Sequence, residues 1–211
     1  MTKQMKMTLL FINIALVIME IIGTTYCFID GGIASLRFYT VLSNIMCGLI
    51  NLVYVIFYMK NMNLDNVLVP KWLKTLRFIT VTCLMVTFIV VITVLIPING
   101  VESISGYLFE RANLFHHLLC PLIMTVTYLI LEKEVKLGRR EEMFAALPTV
   151  LYAIVTLILN LMRVLYGPYP FLHVYEQSVF TSIMWIVLIV GGSYVLAIGL
   201  NKINRMGQKD S

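Results

Sequence analysis

Six stretches of the chain are apolar for long enough to cross a bilayer. They lie near residues 7–29, 38–59, 77–98, 112–131, 144–165 and 178–200. A hydrocarbon core about 30 Å thick is spanned by about 20 helical residues at ~1.5 Å each. The two-residue alternation of a lipid-facing β-barrel is absent from all six, so each is predicted to be a helix. Helix breakers and charges fall between them: Gly31-Gly32, Pro70, Asn99-Gly100, the charged stretch 132–142, and Gly167-Pro168 with Pro170. No soluble domain or low-complexity tract interrupts the pattern. The expectation is an all-α, polytopic membrane protein, one bundle of six transmembrane helices formed by residues 1–211.

Composition agrees with this pattern. The 211 residues are 60% hydrophobic and 13% charged, and mean hydropathy is +0.90. The charged share is about half that of an ordinary soluble domain. A net charge of +5 would suggest nucleic-acid binding in a soluble protein, but here the basic residues sit between apolar runs, where they set topology. Of the 16 Lys and Arg, 13 lie at the N-terminus, in the second and fourth linkers and at the C-terminus; only Arg37, Arg111 and Arg163 lie on the other side. The positive-inside rule then predicts that both termini are cytoplasmic and that linkers 30–37, 99–111 and 166–177 face outward. The four cysteines form no CxxC pair and read as packing residues.

This topology brings particular polar groups to one depth. The second span opens with RFYTVLSNIMC (37–47) just below the outer interface. The fourth opens there too, with ANLFHHLLCP (112–121). Positions 40, 44, 47, 48 and 51 form one helical face, as do Asn113, His117, Cys120 and Met124. Lipid cannot hydrogen-bond such faces, so they turn inward. Where the two faces meet, the Thr40 hydroxyl comes within range of an imidazole, and a Thr with a general base can perform acyl transfer. The alternative is structural. Thr40 then caps its helix, Ser43 and Asn44 tie helices together, and the histidines bond to backbone or water. His116 and His117 point about 100° apart on an α-helix, which argues against joint chelation of a metal; neither a metal nor a cofactor is expected. Thr80, in the echoing RFITV (77–81), starts a span from the opposite face.

Glu20 is the one acid well inside a span and must be paired, solvated or protonated. Arg163, at the outer end of the fifth run, is its candidate partner, a carboxylate anchor, or a snorkelling cation. The outer linker YGPYPFLHVYE (166–176) reads as an aromatic belt or as a lid with His173 beside it.

Three of these segments together, FYTVLSN, ANLFHHLLCP and ALPTVLY…YGPYPFLHV, resemble bacterial members of the androgen-induced-gene family. The eukaryotic relatives of that family include the androgen-dependent TFPI-regulating protein and are described as six-helix intramembrane threonine hydrolases. They cleave fatty acid esters of hydroxy fatty acids with one Thr and one His. The resemblance implies Thr40 as nucleophile and His117 as base, His117 lying four residues after Asn113 and four before Pro121; His116 remains the alternative base. It implies a membrane lipid or lipid-ester substrate and a place in the cell membrane of a bacterium. Asn44 and Asn113, one turn from this pair, become candidates to position it or to stabilise an oxyanion. Two other readings stay open: a small-molecule or ion transporter with Glu20 and Arg163 on its path, and a non-catalytic membrane scaffold.

Overall fold

The computed structural model describes residues 1–64, 67–133 and 136–206; Lys209, one of the topology-setting cations, lies outside them. Six helices are long and apolar enough to cross a membrane, which makes the chain a multi-pass membrane protein. They are α1 (Lys3–Gly31), α2 (Tyr39–Lys60), α3 (Lys71–Asn99), α4 (Arg111–Leu131), α5 (Arg139–Leu161) and α6 (Val179–Arg205). A short helix, Ile104–Phe109, fills the connection before α4. Among the described residues there is no strand.

Polarity runs inward. Phe11, Ile21, Val187 and Val195 are exposed to the surroundings, while Asn13, Asn44, Asn51 and Arg77 are buried completely. Lipid tails are as apolar as these side chains, so helix association rests on packing and polar contacts rather than on removal of apolar surface from water. The buried stripe of α1 shows how. It consists of Lys6, Leu9, Asn13, Leu16, Glu20 and Gly23, the alternating three- and four-residue spacing of a helix seam. Every seventh residue of that seam is polar, and each of the three contacts a different part of the bundle.

Lys6 closes one end. Its ammonium donates to the carbonyls of Asn61 and Met62, both at 2.9 Å, and of Leu64 at 2.5 Å. These carbonyls follow the C-terminus of α2, where a cation is favoured by the helix dipole. One layer deeper, Asn13 Oδ1 accepts from Arg77. Arg77 also donates to Asn51 Oδ1 at 2.7 Å, approaches Glu132 Oε1 at 3.2 Å, and lies 3.7 Å over the Tyr54 ring. Lys74 donates to the Glu132 carbonyl, and Asn204 of α6 donates to the same oxygen at 3.0 Å. With Met124 of α4, whose sulfur accepts from Arg77 at 2.9 Å, five of the six spanning helices thus meet around one guanidinium or the backbone carbonyl of its acid partner, Glu132.

The helix boundaries differ from the sequence expectation where charges obscure them. The third span begins at Lys71, right after Pro70, not at 77. Leu73, Lys74, Arg77 and Val81 share its buried face, so Arg77 lies nearly two turns inside the bundle instead of in the linker. The fifth helix begins at Arg139 and ends at Leu161, so Arg163 belongs to the following loop, with a positive φ of 58°.

Removing one partner of a buried ion pair costs about 3–5 kcal/mol, because the other charge is left unsolvated. Arg77→Met is therefore expected to lower thermal stability in detergent by that order, and Arg77→Met/Glu132→Gln by clearly less. Thermal unfolding of the two purified variants checks the ranking.

Candidate functional site

At the end opposite Lys6, a cavity of about 500 Å³ opens between α1, α2, α4 and the loop after α5. Thr40, Asn113, His116 and His117 all line it. Four of the sequence-predicted residues are therefore brought to one space. Asn44 and Glu20 stand behind it, and Arg163 is elsewhere.

Thr40 sits in the first turn of α2 but does not cap it. The N-cap is Phe38, and no side chain caps that turn. The hydroxyl is 3.4 Å from the Tyr169 hydroxyl, and the Thr40 N–H donates to that same oxygen at 3.3 Å. The backbone N–H groups of a first helical turn lack helical acceptors and carry the positive end of the dipole, so Thr40 stands where negative charge is favoured.

The two histidines lie in a π-helical turn, Leu114–Leu119, inserted into α4. Such turns are rare within helices and recur at functional sites. Here the turn buries both rings. His116 is enclosed on both nitrogens: Nε2 lies 3.4 Å from Glu20 Oε2 and Nδ1 lies 3.6 Å from Cys27 Sγ. His117 Nδ1 is 2.7 Å from the Tyr107 carbonyl. A carbonyl can only accept, so Nδ1 carries the hydrogen and the neutral ring presents its lone pair at Nε2. Among the described residues no hydrogen bond joins Thr40 to either ring; the hydroxyl and the imidazole share the cavity without touching.

Asn44 ties these parts together. Its amide donates to the Thr40 carbonyl at 2.7 Å and to the His116 carbonyl at 3.3 Å. Both amide hydrogens are thereby engaged with backbone, which makes Asn44 a brace between α2 and the π-turn. Asn113 donates to the Gly106 carbonyl at 2.8 Å and anchors the short helix that supplies Tyr107. Glu20 meets His116, not Arg163. Arg163 is exposed and lies 4.8 Å over the Tyr175 ring.

The loop after α5 reaches the cavity through Tyr169, Pro168 and Pro170. Its fold depends on Gly167, since a Cβ there would fall 2.6 Å from the Leu172 carbonyl oxygen. His173 turns back into the loop, 3.0 Å from the Gly167 carbonyl and 3.1 Å from the Tyr166 hydroxyl, and does not line the cavity. Tyr169 is the residue that sequence reasoning passed over. Its signal was there, a Tyr between two prolines in the outer linker. Burial raises its phenol above the ordinary range, so it keeps its proton at neutral pH. Thr40 and Tyr169 also border a second, apolar slot of about 50 Å³ beside Val86, Val90, Val91, Trp185 and Ile189. The pair stands between a polar chamber and a greasy crevice.

Comparison with family models, curated protein sequences and solved structures finds no match to this chain.

Gly23 tests the packing behind the site. A Cβ at Gly23 would fall 2.6 Å from His116 Nε2, whereas one at Gly48 would meet the Glu20 Cβ at 3.3 Å. Gly23→Ala is expected to displace the imidazole and destabilise by about 1–3 kcal/mol. Gly48→Ala should stay within about 1 kcal/mol of wild type, since better helix propensity offsets the tighter contact. Thermal unfolding of both variants is the measurement.

Proposed function

We propose that the protein is an intramembrane hydrolase of fatty-acyl esters, with Thr40 as nucleophile and His117 as general base. The observation that carries this reading is the shared cavity, in which the Thr40 hydroxyl, 3.4 Å from the Tyr169 hydroxyl, borders the same space as an imidazole held by the Tyr107 carbonyl. The resemblance of FYTVLSN and ANLFHHLLCP to the androgen-induced-gene family supports it independently. The basic excess at the Lys6 end supports an orientation with both termini cytoplasmic and the cavity toward the outer leaflet of a cell membrane.

In this mechanism the ester enters with its acyl chain toward the apolar slot and its carbonyl beside Thr40. Thr40 Oγ1 attacks the carbonyl carbon while its proton passes to His117 Nε2, the ring and hydroxyl closing on the substrate or sharing a water. The oxyanion develops at the N-terminus of α2, near the Tyr169 hydroxyl, which can donate to it. Collapse of the intermediate breaks the ester C–O bond, and the departing alkoxide takes the proton from His117. Water, deprotonated by the same nitrogen, then releases the acid and restores Thr40. His116 holds its place through Glu20 and supports the turn that presents His117.

The transporter reading is weakened by the packing at the other end. Arg77, Glu132, Asn13 and Asn51 are all buried there and join α1, α2 and α3 to the end of α4 across the bundle axis.

A fluorophosphonate probe on the detergent-purified protein, with the adduct located by mass spectrometry, tests the assignment. An adduct on Thr40 is expected, lost in Thr40→Ala and in His117→Ala and retained, at lower yield, in His116→Ala. Tyr169→Phe should slow labelling by about 100-fold, the usual effect of removing one oxyanion donor. Undiminished labelling of folded Thr40→Ala would remove Thr40 from the mechanism.

A further inference from the structure

A second polar cavity, of about 530 Å³, lies at the opposite end of the molecule between the start of α5 and the end of α6. It shares no residue with the site around Thr40. Its rim carries three cations, Arg139 from the first turn of α5 and Lys202 and Arg205 from the last turns of α6. All three are exposed, and none forms an ion pair with a described residue. Among the described residues Glu142 is the one acid on the rim.

The floor is built, not accidental. Asn201 is 1% exposed. Its amide donates to Glu142 Oε1 at 2.6 Å and to the Leu137 carbonyl at 3.3 Å. These bonds fix the amide plane, yet the buried Asn201 Oδ1 accepts no hydrogen bond. A buried acceptor left unmatched is costly, and a cavity beside it is where a donor would come from. One and two turns further along α6, toward the bilayer interior, Ile198 and Tyr194 complete the lining. The order from rim to depth is therefore cations, carboxylate and amide acceptors, then an apolar edge.

We infer that this cavity binds the headgroup of an anionic glycerophospholipid whose headgroup bears hydroxyls, in the leaflet on the side of the termini. The phosphate lies among Arg139, Lys202 and Arg205, where guanidinium groups can hold it through paired N–H donors. Headgroup hydroxyls donate to Asn201 Oδ1 and to the free oxygen of Glu142. The acyl chains run along Ile198 and Tyr194 into the bilayer. Three cations against one carboxylate favour a net-negative headgroup over a zwitterionic one. Basic pockets between helices at this level are suited to such lipids, because the attraction acts within a Debye length of the headgroup plane.

The test is native mass spectrometry of the full chain in detergent, titrated with palmitoyl-oleoyl phosphatidylglycerol. Palmitoyl-oleoyl phosphatidylcholine and inorganic phosphate are the comparators. Wild type is expected to bind phosphatidylglycerol in preference to phosphatidylcholine. Lys202→Gln/Arg205→Gln should weaken that binding by about thirty-fold, from the usual contribution of a basic side chain near a headgroup. Lys3→Gln/Lys60→Gln, which removes two exposed cations from the same end but outside the cavity, should leave it unchanged. Equal weakening by both pairs would reduce the effect to general surface charge and overturn the site. So would binding that Lys202→Gln/Arg205→Gln leaves intact, or equal binding of the two lipids. Displacement of the lipid by millimolar phosphate would reassign the cavity to a soluble anion. Should Lys202→Gln/Arg205→Gln fail size exclusion as a folded species, Arg139→Gln, on the other helix, is read by the same criteria.

Discussion

A guanidinium enclosed among spanning helices cannot be left without partners, and much of this structure follows from how Arg77 is satisfied. Taking a charge out of water costs several kcal/mol even after relaxation, so its neighbours must be near and correctly aimed. Asn13, Asn51, Glu132 and the face of Tyr54 meet that requirement from α1, α2 and the end of α4. Each of those contacts fixes the rotation of a helix about its own axis. Apolar packing in lipid is weakly directional by comparison, since a Leu is nearly as well placed against a lipid tail as against another Leu. The polar seam of α1 therefore acts as the alignment edge for the bundle.

The candidate site inherits its geometry from that alignment. With α1 fixed by Lys6 and Asn13, Glu20 arrives two turns beyond Asn13 at the level of His116. With α2 fixed by Asn51, Asn44 arrives two turns earlier, where it braces both the Thr40 carbonyl and the π-turn of α4. The groups that would do chemistry are those left over. Among the described residues Thr40 Oγ1 has only the 3.4 Å contact with the Tyr169 hydroxyl, and it shares an open chamber with the His117 ring, while the Asn44 amide hydrogens and His117 Nδ1 are bonded to backbone. Separation of braced groups from uncommitted ones is what a preorganised site requires.

Much of the bundle was legible in the sequence because length and hydropathy suffice to find a span. The inward faces of α2 and α4 were legible too, from the spacing of 40, 44, 47 and 51 and of 113, 117, 120 and 124. What stayed hidden has a common cause. Lys74 and Arg77 read as linker charges because a cation at a span boundary has two outcomes, snorkelling outward or pairing inward, and the choice depends on partners in other helices, up to 64 residues away. Lys71, three residues before Lys74, took the outward course and pairs with Glu141 at 2.8 Å. The seven-residue spacing of Lys6, Asn13 and Glu20 was a usable local signal, overlooked because Lys6 was assigned to topology alone. Pairing of Glu20 with His116 rather than Arg163 turned on where α5 ends, a boundary that the apolar run to Leu165 conceals. Tyr169 required the course of a whole loop, which no periodicity encodes.

The polar seam of α1 also bears on biogenesis. Synthesis delivers α1 before the other five spans, carrying a lysine, an asparagine and a glutamate along one face. The groups that meet them come later: the carbonyls after α2, then Arg77 on α3, then His116 on α4. Until α4 has entered, the first helix lacks its full set of partners, and its retention in the bilayer depends on water, lipid headgroups or the insertion machinery. Assembly therefore has an order written into it, in which α1 enters before its partners and is among the last to be completed.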